Sequence, residues 1–135
     1  MIVSLHVATG AVGGVLVGSR ARALPLGLVL HLAGDRMPHH DIGDRRFEIG
    51  SGIAAVVLLA LVRGPLDPAV TGALAASSPD LEHILRLPRP RGRKLFPSHR
   101  FRGWHRSGGA PAWAQLLVAG VLIGAVLRPR HAGPR

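Results

Sequence analysis

Imidazole and carboxylate side chains are concentrated in three short stretches of this 135-residue chain, which has eight histidines and seven acidic residues. The stretches are 31–41, 79–83 and 99–105, and a further histidine lies in an apolar segment near the start. Neutral imidazoles and carboxylates bind Zn²⁺ and also Mn²⁺ or Fe²⁺, and geometry selects among these ions. The pattern predicts a divalent metal site, with zinc as the first choice. The predicted ligands are His6, His31, Asp35, His39, His40, Asp80, His83, His99 and His105.

The spacings within the stretches suit shared coordination. His31 and Asp35 are four residues apart and Asp80 and His83 are three apart. Each pair therefore lies on one face of a helix, about one turn apart. Residues 39–41 follow a proline in a turn, where neighbouring side chains can diverge.

Each part of this pattern also has a purely structural interpretation. His6, alone in an apolar helix, fits a hydrogen-bonded core residue, and the pair at 31 and 35 fits a polar contact between helices. Asp80 and Glu82 fit the first turn of a helix that starts at Ser78, where carboxylates complement the helix dipole. The conjunction of all these groups in apolar surroundings favours a functional site, because buried ionisable groups are costly.

The composition predicts a helical membrane protein. Hydrophobic residues make up 47% of the chain but aromatic residues only 4%, and there is no cysteine, which excludes disulfides and thiolate metal sites. The apolar content is mainly Ala, Val, Leu, Ile and Gly, the mixture with which helices pack closely in lipid. The net charge of +10 indicates anionic partners, and membrane lipids are a better match than nucleic acid for so apolar a chain.

Five apolar segments are separated by prolines and polar turns, at 2–18, 23–37, 49–62, 68–78 and 112–127. They predict an all-α, up-and-down membrane bundle of about five helices, with one irregular loop rich in arginine and proline at 86–107. Residues 1–127 form the predicted membrane domain and 128–135 a basic polar tail. Because the segments are short for spanning helices, a soluble bundle of hydrophobic helices is the alternative.

An up-and-down order of five helices places all the histidine-rich stretches on one face of the bundle. The start of the first helix, the turn between the second and third, and the loop between the fourth and fifth share that face. The same face carries more of the basic residues, so the positive-inside rule predicts an inner-membrane protein with its site towards the cytoplasm.

The motifs resemble those of a family of bacterial inner-membrane proteins that are assigned metal-dependent hydrolase activity. The resemblance rests on His6, on the Pro-Asp-Leu-Glu-His run at 79–83, and on the run His-Arg-Phe-Arg-Gly-Trp-His at 99–105. Glu82 stands where the family has Asp, Trp104 replaces a threonine, and the two histidines of the last motif are one residue further apart. The resemblance implies hydrolase chemistry at a metal centre without identifying the substrate.

The resulting hypothesis is a metal-dependent hydrolase that attacks a phosphoester, or another ester such as a lipid headgroup, with metal-activated water. Asp41 or Glu82 would act as general base, and Arg100, Arg102 and Arg106 would stabilise an anionic phosphoryl centre.

Two other functions remain open at this stage. One is a non-enzymatic membrane protein whose histidines form a polar network, carry ions or bind haem, for example between His6 and His31. The other is a basic module that binds nucleic acid through the loop at 86–106, with Phe96, Phe101 and Trp104 stacking on bases.

Overall fold

The computed structural model describes residues 1–85, 87–106 and 108–128, which are mainly helical. The only β-pairing among these residues is an isolated bridge between His39 and Ala110. Two single 3₁₀ turns precede α5 and α6, at Ser78–Asp80 and Pro90–Gly92. The helices are α1 (Val3–Val17), α2 (Arg20–Arg36), α3 (Arg45–Arg63), α4 (Pro68–Ser77), α5 (Leu81–Ile84), α6 (Pro97–Arg100) and α7 (Ala112–Leu127).

The five longer helices confirm the all-α prediction and follow the apolar segments closely. Their ends are set by local signals in the sequence. Asp44 caps α3 by accepting hydrogen bonds from the backbone N–H groups of Arg46 (2.8 Å) and Phe47 (3.2 Å), so α3 begins four residues before the predicted segment. Asp67 caps α4 through the N–H of Ala69 (2.8 Å). Of the predicted basic tail, residues 129–135 lie outside the described residues.

The predictions of a membrane-spanning bundle and of an inner-membrane location are wrong. Within residues 1–85, 87–106 and 108–128, no helix is both long enough and apolar enough to cross a membrane. The 15 residues of α1 extend only about 22 Å, against a hydrocarbon core of about 30 Å. The 19-residue α3 is longer, but its first turn carries Arg45, Arg46 and Glu48. Apolar composition alone therefore misled the sequence interpretation, because α1 is too short and α3, which is long enough, contains charged residues.

Glycines allow α4 to pack directly against α1 and α2. A Cβ atom on Gly72 of α4 would lie 2.1 Å from the Gly10 carbonyl oxygen, and one on Gly10 would lie 2.3 Å from that of Gly72. On α2, a Cβ on Gly27 would lie 2.7 Å from the Gly72 carbonyl oxygen. His6 and His31 each lie one turn along their helices from these glycines. The close contacts thus bring the two histidines together at one end of the bundle.

The segment before α7 is fastened to the turn between α2 and α3. The N–H of His39 donates to the Arg106 carbonyl (3.2 Å), and the N–H of His40 donates to that of Ala110 (3.0 Å). The buried side chain of Gln115 donates to both the His40 and Ala110 carbonyls (2.8 and 3.1 Å). These bonds hold the chain next to His105 against the end of the bundle.

We expect Gly72→Ala to destabilise the protein by roughly 2–4 kcal/mol, because its added methyl group collides with backbone that cannot move locally. Gly120→Ala in α7 is the matched control, since no atom of the described residues lies within 4 Å of its added Cβ. The control should raise the free energy of unfolding by about 0.5–1 kcal/mol, because alanine favours the helix. Urea unfolding of both variants checks this, and equal effects would contradict the proposed packing.

Candidate metal centre

The carboxylate of Asp35 lies at the centre of the histidine cluster. It is 1% exposed, and imidazole Nε2 atoms approach it from four directions. His6 approaches Oδ1 at 3.1 Å. On Oδ2 the distances are 2.9 Å for His31, 3.3 Å for His105 and 3.4 Å for His99. The structure therefore brings together histidines from α1, α2, α6 and the loop after α6, as the topology argument predicted.

Three of these atoms form a triangle with the dimensions of one face of a metal site. Nε2 of His31 and Nε2 of His99 are 3.3 Å apart, and they lie 2.9 and 3.4 Å from Oδ2 of Asp35. In a tetrahedral site with metal–ligand distances of about 2.0–2.1 Å, neighbouring ligand atoms are separated by about 3.3 Å. The triangle thus matches the geometry that a divalent ion needs without any rearrangement of the backbone.

The hydrogen bonds at the other ring nitrogens orient both imidazoles towards the triangle. Nδ1 of His31 lies 2.7 Å from the carbonyl oxygen of Ala76, which can only accept. Nδ1 of His99 lies 2.5 Å from the carboxylate of Glu82. In the neutral rings, Nδ1 therefore carries the hydrogen and Nε2 carries a lone pair. Such a bond from a ligating histidine to a carbonyl or carboxylate is typical of metal sites.

The lone pairs of two imidazoles and a carboxylate cannot face one another at these distances without a cation. A divalent metal ion meets this need, and so does a proton on one ring. Burial lowers the pKa of His99, but hydrogen bonds to Asp35, Asp80 and Glu82 outweigh burial and raise it to about 9. A metal ion in the triangle and a proton on His99 are therefore alternative solutions to the same electrostatic problem.

Asp80 provides a further carboxylate beside the triangle. Its Oδ1 is 3.5 Å from Nε2 of His99 and 3.9 Å from Nε2 of His31. Its Oδ2 is buried and, within the part of the chain that is described, has no hydrogen-bond partner. Burial raises the pKa of Asp80, but its contact with His99 and the neighbouring imidazoles lower it overall. An ionised carboxylate with Oδ1 beside the triangle and, among the described residues, no partner for Oδ2 suits a fourth ligand.

His6 packs behind the triangle. Its ring stacks on that of His31 with a centroid separation of 4.0 Å, which leaves no space for a porphyrin between them. The two rings therefore cannot ligate opposite faces of one haem iron. Burial lowers the pKa of His6 to about 4, although its hydrogen bond to Asp35 opposes this shift. His6 is a neutral donor to the Asp35 carboxylate, which agrees with its structural interpretation.

The other predicted ligands lie around the edge of the cluster. The Nε2 atom of His39 already contacts the amino group of Met1 (2.5 Å) and the carboxylate of Asp41 (3.3 Å). His40 is exposed and contributes only backbone bonds among the described contacts. The exposed His83 contacts the Lys94 ammonium through Nδ1 at 3.0 Å. Burial, followed by the charges of His99 and Lys94, lowers the pKa of His83 to about 4.

The two predicted general bases occupy different surroundings. Asp41 is 75% exposed and contacts His39. Glu82 is buried and accepts hydrogen bonds from the backbone N–H groups of Leu95 (2.7 Å) and Phe96 (3.3 Å), in addition to His99. These partners fill the Glu82 carboxylate and orient His99. Asp80 is the last residue of the 3₁₀ turn, and Glu82 follows in α5. Both side chains contact His99 of the cluster.

A polar cleft of about 420 Å³ opens beside the cluster. Asp80, His83 and His105 reach its wall, together with Arg45 and Glu48. Within the described residues, the arginine in this lining is Arg45; the predicted Arg100, Arg102 and Arg106 are exposed elsewhere on the loop. The guanidinium of Arg45 donates to the carbonyl of His83 (2.7 Å), which holds it at the cleft.

Three contributors escaped the sequence analysis. Ser98 donates to Oδ2 of Asp35 at 2.6 Å and is 2% exposed. Glu48 lines the cleft, and burial raises the pKa of its carboxyl group. Arg45 supplies a positive charge to the wall of the cleft. No metal motif surrounds Arg45 or Glu48 in the sequence. Only Ser98, which directly precedes His99, could have been suspected of a role.

The loop aromatics are mostly used in packing. Phe96 lies edge-on to His31 with a centroid distance of 5.0 Å, and the indole of Trp104 donates to the carbonyl of Leu32 (3.1 Å). Phe101 remains 56% exposed. Base stacking by all three rings would therefore require the cluster to be taken apart.

Comparison with known proteins gives no match to any protein-family model, curated protein or solved structure. The resemblance to inner-membrane hydrolases thus rests on the motifs alone.

The lowered pKa of His6 predicts a pH dependence of stability in metal-free protein. Between pH 6.5 and 4 the unfolded chain binds a proton at this position and the folded chain does not, so stability falls as the pH falls. We expect a loss of about 3 kcal/mol from this group across the window. Urea unfolding at a series of pH values, with chelator present, measures the slope. His6→Gln should flatten it, and an unchanged slope would contradict the assignment.

Proposed function

We propose that this chain is a metal-dependent hydrolase that acts on phosphoesters, with the ion held by His31, Asp35, His99 and Asp80. The observation that carries the proposal is the triangle of Nε2, Nε2 and Oδ2 atoms with separations of 2.9, 3.3 and 3.4 Å. Two imidazoles with two carboxylates suit Zn²⁺, and Mn²⁺ or Fe²⁺ match the same donor set.

The cleft supports hydrolysis over simple storage of the ion. When bound, a divalent ion acidifies a coordinated water and polarises a substrate oxygen. Asp80 both borders the triangle and lines the cleft, so a route from the cleft to the buried triangle would pass by its carboxylate. Because four protein ligands alone would make a closed structural site, catalysis here would require an additional position for water on the cleft side, beside Asp80.

The residues of the cleft match a phosphoester in charge. Arg45 presents a cation to the anionic phosphoryl group, and its bond to the His83 carbonyl fixes its position. Glu48 lies in the same cleft, and because burial favours its protonated form it can donate a proton to a leaving alcohol. The charges needed at the two ends of the scissile bond are therefore both available.

Glu82 acts in this proposal as a positioning residue. Its carboxylate accepts from Nδ1 of His99, which turns Nε2 of that ring towards the ion and raises its basicity. The two backbone N–H donors from Leu95 and Phe96 hold the carboxylate in place. This differs from the general-base role expected from the sequence.

The direct test is metal binding by purified protein. We expect about one Zn²⁺ or Mn²⁺ ion per chain by mass spectrometry of metals, and metal-dependent hydrolysis of bis-para-nitrophenyl phosphate. His99→Ala should weaken metal binding by at least about 100-fold, since it removes a ligand and leaves the carboxylates unbalanced. His40→Ala is the control because the His40 ring is exposed. Absence of binding in the wild type, or equal binding in both variants, would refute the proposal.

The role of Glu82 has its own test. Glu82→Gln should lower metal affinity by about 10–100-fold, because the ligating ring loses its carboxylate partner. Saturating metal should restore most of the rate. His40→Gln serves as control, since the His40 side chain is exposed and lies outside the described cleft lining. A large loss of kcat with unchanged metal affinity would instead assign Glu82 as the general base.

A further inference from the structure

A second cavity, of about 300 Å³, lies between α1, α3 and α4 and is apolar. Apart from Ser77, Ser78 and Asp80, every residue that lines it is glycine or an apolar residue. The two serine hydroxyls already donate to carbonyls of α4, Ser77 to Ala73 (2.9 Å) and Ser78 to Ala75 (3.0 Å). The groove therefore offers a ligand almost no polar partner along its length.

Large apolar side chains in this groove remain exposed. Ile53 is 60% exposed, Leu74 51% and Val57 49%. A contiguous exposed apolar surface of this kind marks a binding site when a polar region adjoins it. Its volume lies at the lower end of the range for ligand pockets, which is about 300–1,000 Å³. One linear apolar chain therefore suits the groove better than a pair of chains.

The apolar groove and the polar cleft are continuous. Val3, Ile49, Asp80 and Ile84 line both. Asp80, which also lies 3.5 Å from Nε2 of His99, stands at the junction. A molecule that fills both cavities must therefore have an apolar chain joined to a polar head, with the junction beside the candidate metal centre.

We propose that the substrate is a single-chain amphiphile, an alkyl phosphoester whose chain lies in the groove between α1, α3 and α4. The inference rests on the proposed hydrolase function and deepens it by naming the substrate class. Arg45 in the cleft matches the anionic phosphoryl head. Hydrolysis forms a bond from the oxygen of water to phosphorus and breaks the bond from phosphorus to the leaving oxygen. One proton of water passes to that leaving group.

The first test compares methyl, butyl and octyl para-nitrophenyl phosphate with the metal-loaded protein. Each buried methylene contributes up to about 0.8 kcal/mol, or roughly fourfold in affinity, and an open groove realises part of this. We expect kcat/KM for the octyl ester to exceed that for the methyl ester by at least about tenfold. Equal values for the three esters would overturn the proposal.

The second test fills the groove. Val57→Trp should reduce the preference for the octyl ester over the methyl ester to less than about threefold. Val62→Trp is the matched control, because Val62 is on the same helix, is 55% exposed and is not part of the groove lining. The same loss of preference in both variants would overturn the proposal.

A third measurement separates this inference from the hydrolase proposal. Octyl phosphate is titrated into metal-stripped protein by calorimetry, with methyl phosphate as reference. Tighter binding of octyl phosphate that Val57→Trp removes and Val62→Trp keeps supports the groove even if hydrolysis is never observed. Hydrolysis without any such binding would retain the metal-centre proposal and refute the groove.

Discussion

The burial of one carboxylate charge governs the architecture of this protein. Asp35 is 1% exposed, and an isolated carboxylate at such a depth would cost several kcal/mol. Burial alone raises its pKa, but hydrogen bonds with His105, His31, His6 and His99 outweigh that effect and lower it. Because these imidazoles come from separate parts of the chain, the charge is tolerated only when the whole bundle is assembled.

The glycine contacts make this arrangement sterically available. Gly10 on α1, Gly27 on α2 and Gly72 on α4 replace side chains with direct backbone contact. Helix axes that approach this closely place the carbonyl of Ala76 within 2.7 Å of His31. The ring of His6 then stacks on that of His31. If larger side chains separated these helices, the two rings could not both reach the Asp35 carboxylate.

Much of this organisation could be read from the sequence, and the reasons are local. The apolar segment at 112–127 coincides with α7, and the other segments differ from the helices by a few residues at their ends. The meeting of His6, His31 and His99 followed from the up-and-down order of the helices. The membrane assignment failed because apolar composition does not report how long an uncharged stretch is.

The roles of individual side chains could not be predicted, because they depend on contacts that the spacing of residues in the sequence does not indicate. Glu82 and His99 are 17 residues apart, joined through an irregular loop whose path cannot be predicted from its prolines and arginines. Glu48 lies in the first turn of α3, one residue before the apolar segment predicted at 49–62. Arg45 reaches the cleft only because Asp44 starts the helix there.

The order in which the proposed ligands leave the ribosome would set when an ion could be captured. His31 and Asp35 emerge early, but His99 follows His31 by 68 residues. A nascent chain would therefore contain two of the four proposed ligands, His31 and Asp35, well before His99, which follows α4. In the proposed site the ion could therefore not guide the early steps of folding, and loading would follow closure of the chain between His31 and His99.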